Sequence, residues 1–106
     1  DPAVGITPVQ QPRPAEASKL SPAIMGPVER VSAHLLPGVP VIPQMETGAT
    51  DGAYLRASGI PTYGVSGVFI DMDDNRSHGR DERILVREFY DGAEFIYQLV
   101  REMGSR

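Results

Sequence analysis

TGATDGAYLRASGIPTYGVSGVFIDMDDNRSHGRDE, residues 47–82, decides how this chain is read. It opens on small residues, Thr47 to Asp51, that let backbone approach a ligand closely. Amides at the start of a helix point toward anions. Thr50 or Asp51 caps a short helix, Gly52–Ser58, and Gly59 ends it. Ile60–Ile70 then reads as a strand, apolar at Ile60, Val65, Val68, Phe69 and Ile70. Gly64 and Gly67 inside it mark a bulge or a close backbone approach. The charged loop Asp71–Arg83 follows, with His78 between Arg76 and Arg80.

Downstream, Val86, Phe89, Tyr90, Ala93, Ile96, Tyr97, Val100 and Met103 recur on one face of a helix. Glu88, Glu94, Arg101 and Glu102 fall largely outside that face, which is therefore expected to be buried. Upstream, Val39–Gln44 is β-branched and apolar and predicts a strand despite Pro40 and Pro43. Before it, Ile24, Val28, Val31 and Leu35 form a helical stripe. Pro27 suits a helix start, so one turn at Ser21–Met25 and a main helix at Pro27–Leu36 are expected, stopped by Pro37-Gly38. His34 lies near that C-terminus, where a solvated imidazole facing the helix dipole is the ordinary case. Asp1–Pro14, broken by Pro8 and Pro12, reads as an edge strand, an extended linker or a disordered tail. Helix, strand, helix, strand, helix is an α/β layering, with about three helices and two to three strands.

At 106 residues there is room for one domain with a modest core. A net charge of −4 with interspersed signs gives no footprint for nucleic acid or an acidic membrane surface. No apolar run approaches the roughly 20 residues of a membrane span. The absence of cysteine excludes disulfides and thiolate chemistry, so any metal site must use His and carboxylates. Seven of the ten prolines fall within the first 37 residues, an uncommon use of chain in a self-sufficient small domain.

His78 admits more than one reading. A lone histidine in a charged loop is usually solvated, and catalytic zinc usually needs three protein ligands. Asp71, Asp73, Asn75 and Glu82 occupy positions 1, 3, 5 and 12 of a calcium-loop pattern, but Arg76 replaces the glycine needed for its sharp turn. A non-catalytic α/β binding or structural module, packed on a partner chain, is a further alternative.

ETGATDGAYLRASGIPTYGV, then SHGRDERI, then the long helix resembles the C-terminal part of the co-catalytic zinc exopeptidases. That family includes carboxypeptidase G, aminoacylase, acetylornithine deacetylase and succinyl-diaminopimelate desuccinylase. The resemblance runs from about Ile6 to Met103. It implies a fragment of a three-layer α/β/α catalytic domain at residues 15–106, with residues 1–14 the extended end of a lid domain or a linker. It implies hydrolysis of peptide or N-acyl amino acid bonds with two zinc ions, one held by His78. Gly48, Ala49, Thr50 and Asp51 would line the substrate pocket, and Arg56 would hold a substrate carboxylate. Asp51 as a plain helix cap stays open beside that role. Glu82 would orient the His78 loop, since metal-bound histidines need such support. The other zinc ligands, the bridging aspartate and the general-base glutamate have no counterpart in this sequence, so no catalytic residue is assigned here. The expected partners are the remainder of the catalytic domain and a second copy, through the lid. The 106-residue chain alone is expected to be inactive.

Overall fold

The computed structural model describes residues 2–7, 9, 15–45, 48 and 50–105. Its regular elements are α1 (Pro22–Leu35), α2 (Gly52–Ala57), a 3-10 turn (Met72–Asp74) and α3 (Val86–Gly104). The chain separates into two compact units, Asp1–Lys19 with Glu46–Tyr63, and Leu20–Met45 with Gly64–Arg106.

In the larger unit α1 packs on α3, and the core is Val28 and Val31 against Phe95 and Leu99. Leu35, Leu36 and Val41 close its margin. An exposed ion pair, Arg30 Nη2 to Glu102 Oε1 at 2.7 Å, clasps the two helices outside the core. The break expected in α1 at Pro27 is absent, and the helix runs through it. Gly26 precedes that proline, and without a Cβ it escapes the clash that disfavours helical backbone before proline. The Pro27 ring is under 2% exposed, and its burial offsets the one amide that proline cannot supply. Past Leu36 the chain turns through Gly38, φ 85°, and the helix stops as Pro37-Gly38 predicts.

The burial of α3 differs from its apolar pattern. Glu88, Gly92, Phe95 and Leu99 are the buried residues of this helix. By contrast Phe89, Tyr90, Tyr97 and Val100 are each more than half exposed. The stripe 88, 92, 95, 99 was hidden from a hydropathy reading because it contains a carboxylate and a glycine. Gly92 matters for its missing side chain, since a Cβ there would lie 2.4 Å from Val68 Cγ2. Gly67 does the same in reverse: with φ 65°, its added Cβ would lie 2.3 Å from Phe95 Cγ. Two glycines thus let the extended segment 64–70 lie directly on α3. Glu88, although buried, accepts from Arg87 Nη2 at 2.8 Å.

Residues 39–44 and 60–70, where strands are expected, run without regular structure and form no ladder among the described residues. A strand exists only when a second segment lies edge to edge with it, and none of the described segments does so.

The smaller unit is built on α2. Thr50 Oγ1 accepts from the Gly52 amide at 3.0 Å, while the Asp51 side chain makes no cap bond, so Thr50 supplies the cap. At the other end Ile60 N donates to Leu55 O at 2.9 Å and Gly59 N to Arg56 O at 2.9 Å. That paired closure, with Gly59 at φ 81°, is a Schellman motif. The Ser18 hydroxyl then ties down the chain leaving α2. It donates to Thr62 O at 3.1 Å and accepts from Thr62 N at 2.9 Å, standing in for a missing strand partner. Tyr63 Oη donates to Lys19 O at 2.7 Å beside it.

Candidate functional site

The loop that carries His78 is held by two kinds of bond. Side-chain oxygens first shape the backbone: Asp71 Oδ1 accepts from Asp73 N at 2.9 Å, and Asn75 Oδ1 accepts from Ser77 N at 3.1 Å. Asp and Asn suit this role because their short side chains reach the amide two residues on. A tight turn follows, closed by Gly79 N donating to Arg76 O at 2.9 Å. His78 stands third in that turn at φ 63°, the left-handed region. Among the described residues it is the only non-glycine there. Such a conformation costs a residue with a Cβ about 1–2 kcal/mol, and sites of this kind cluster where function needs them.

Ion pairs add the second restraint. Arg76 reaches back through Nε to Asp74 and forward through Nη1 to Asp81, so one guanidinium spans the base of the turn. Arg83 joins from the far side, Nη2 to Asp74 Oδ2 at 2.7 Å and Nε to the same oxygen at 3.2 Å. Hydrogen bonds from Arg76 and then Arg83 hold the Asp74 carboxyl below its ordinary pKa. The Asp74 and then Asp81 carboxylates raise that of Arg76. Glu82, expected to orient this loop, is exposed and forms none of these bonds; Asp74, Arg76, Asp81 and Arg83 do the bracing. The sequence signal was the alternation of charge on both sides of His78, which shows opposite signs but not which pairs meet.

His78 itself is exposed. Among the described residues no group of three or more His, Asp or Glu side chains could hold a metal ion. The described residues alone thus give His78 no three-ligand set of the kind catalytic zinc usually takes. The calcium reading gains nothing from the structure: Asp71 and Asn75 turn oxygens to backbone amides, and no metal-binding cluster of acids forms among the described residues.

The turn expected to line a substrate pocket belongs to the smaller unit. Gly48, Thr50 and Asp51 are exposed, and Ala49 lies outside the described residues. Arg56 folds back over the start of its own helix, where a Cβ on Gly52 would come within 3.0 Å of its Nη1. Its Nε is buried and without a hydrogen-bond partner among the described residues. Glycine at 52 thus keeps the arginine against the turn. The structure assembles each expected group locally, the turn with Arg56 in one unit and His78 in the other.

Among the described residues no helix is long and apolar enough to cross a membrane. Neither the curated proteins nor the solved structures gave a match to this sequence. The model of peptidase family M20/M25/M40, whose members are generally zinc-dependent hydrolases, matches residues 3–102 and takes in both the Gly-x-Thr-Asp turn and the His78 loop. On that match over nearly its whole length, the chain belongs to peptidase family M20/M25/M40.

Proposed function

We propose that this chain is the C-terminal part of a zinc-dependent hydrolase of peptide or N-acyl amino acid bonds, supplying one metal ligand and part of the substrate pocket. The observation that carries this reading is His78, held in a left-handed turn by a braced loop. Zinc, when bound, polarises a carbonyl and lowers the pKa of water. This chain's part is to offer the His78 imidazole to the metal and to position substrate. The exposed turn at Gly48, Thr50 and Asp51 offers polar groups to substrate. Arg56, whose buried Nε has no partner among the described residues, offers a positive charge to a substrate carboxylate.

The bare apolar side of α3 supports the fragment part of the proposal. The apolar face of an amphipathic helix normally packs against a neighbouring element. Here Val100 is exposed, and so are Phe89 and Tyr97, which with Val65, Val68, Ala93 and Ile96 line an open groove of about 550 Å³. In a three-layer α/β/α domain, further layers would cover that side, and residues 39–44 and 60–70 would find strand partners.

Metal analysis of the full-length protein tests the reading. His78→Ala is expected to lower zinc content and abolish turnover of an N-acyl amino acid. A variant that keeps its full zinc complement refutes the ligand role. Turnover by the 106-residue chain alone, lost on His78→Ala, refutes the fragment role.

A further inference from the structure

We infer that Arg76 is the positioning residue for His78, fixing the left-handed turn from which the imidazole reaches its metal. The inference rests on the ligand role proposed for His78 and assigns the support of that ligand to a residue two positions before it. Arg76 contributes at three atoms. Its carbonyl accepts from Gly79 N and closes the turn, its Nε holds Asp74 before the turn, and its Nη1 holds Asp81 after it. Both flanks of His78 are thereby fastened to one rigid plane. Asp74 is anchored a second time by Arg83, so the plane is tied to the start of the segment leading into α3. Gly79 completes the arrangement: a Cβ there would sit 3.0 Å from Arg76 O, the atom that closes the turn.

A guanidinium suits this task and an ammonium does not. Several donors in a fixed plane can serve two carboxylates at set angles, whereas lysine presents one compact charge on a flexible stem. Single exposed ion pairs contribute little to stability. The effect of this bridge therefore appears in the order of the turn and in metal affinity, with little change in global unfolding. Charge alone predicts the opposite sign. Removing a cation two residues from a metal ligand should tighten metal binding, whereas losing a positioning group should weaken it.

The experiment uses the full-length protein, zinc in competition with a chromophoric chelator, and cobalt as a spectroscopic replacement. Arg76→Met and Arg76→Lys are each expected to weaken zinc binding by about 10–100-fold, the usual effect of removing support from a ligating histidine. Both should alter the cobalt absorption bands while the unfolding midpoint stays near wild type. Affinity unchanged or tightened in Arg76→Met overturns the inference, as does wild-type behaviour of Arg76→Lys. Should Arg76→Met fail to fold, Arg76→Gln also removes the cation and must weaken zinc binding in the same direction; no loss overturns the proposal. His78→Ala separates the two levels. If it retains zinc, the ligand role falls; if it loses zinc while Arg76→Met does not, only the positioning role falls.

Discussion

Segment 64–70 and loop 71–83 are consecutive in the chain and are held by opposite means. The first lies on α3 through close steric contact, Gly67 against Phe95 and Val68 against Gly92, with little polar help. The second is shaped by Asx turns and a chain of ion pairs. Apolar contact of the first kind carries free energy, because a glycine seat tolerates no added atom. Polar contact of the second kind at an exposed site carries mainly order, because water competes for every charge. The difference predicts that damage to 64–70 unfolds the protein, and damage to 71–83 leaves it folded but misplaces His78.

The largest effect is expected where the seat is tightest. Gly67→Ala would drive a Cβ to 2.3 Å from Phe95 Cγ at a residue with φ 65°. Overpacking at about 1–3 kcal/mol, added to a left-handed backbone penalty of about 1–2 kcal/mol, gives a loss near 3 kcal/mol. Urea unfolding measures it, and a loss below about 1 kcal/mol would break the comparison at its first term.

Next in size is the uncovered side of α3. If further layers cover it in the full-length protein, Val100→Ser should destabilise that protein by about 2 kcal/mol, as loss of a buried aliphatic side chain does. A surface position would respond within about 0.5 kcal/mol. Thermal unfolding decides between these values. A surface-like response would remove the main structural support for the larger domain.

How far the sequence could be read follows the same division. Helix ends were legible because their chemistry is local: Gly59 stops α2 and Pro37-Gly38 stops α1. The length of α3 was legible from its period, but its buried face was not. Apolar residues lie on more than one side of it, and its buried face includes Glu88 and Gly92, neither of which a hydropathy pattern marks. Pro27 was misread as a helix start because its acceptance inside α1 depends on Gly26 and on burial of its ring. His78 could be singled out from its neighbours in sequence. Its bracing could not, since Arg76 meets Asp74 and Asp81 only once the turn has formed. Glu82 was expected in that role and Asp81, one residue away, fills it. The strands expected at 39–44 and 60–70 rest on pattern alone, and the proposed sheet would take its partners from elsewhere.

A smaller effect separates cap from substrate contact in the turn before α2. Thr50→Val removes the hydroxyl that accepts from Gly52 N, and an N-terminal cap of this kind contributes about 1 kcal/mol. Asp51→Asn removes no cap bond and should leave stability unchanged. If Asp51→Asn nevertheless raises KM for an N-acyl amino acid, Asp51 serves substrate and Thr50 serves the fold. The reverse pattern would exchange the roles.

The smallest effect is electrostatic and concerns Asp74. Arg76, and after it Arg83, hold the folded-state pKa of this carboxyl below the unfolded value of about 3.9. A carboxyl with a depressed folded pKa contributes stability that is fully present above the unfolded value and is lost as pH falls through the folded one. Loop 71–83 should therefore keep its order at pH 5 and lose it only below the ordinary carboxylate range. Carbon-detected NMR of the Asp74 carboxyl, with amide exchange at Ser77 and Gly79 followed over the same range, measures both. The two should move together: protonating Asp74 releases one arm of Arg76, and the amide that closes the His78 turn then exchanges faster. A midpoint at or above the ordinary value would mean that Arg76 does not grip Asp74 in solution. Loop and segment would then no longer differ in the way their bonds imply.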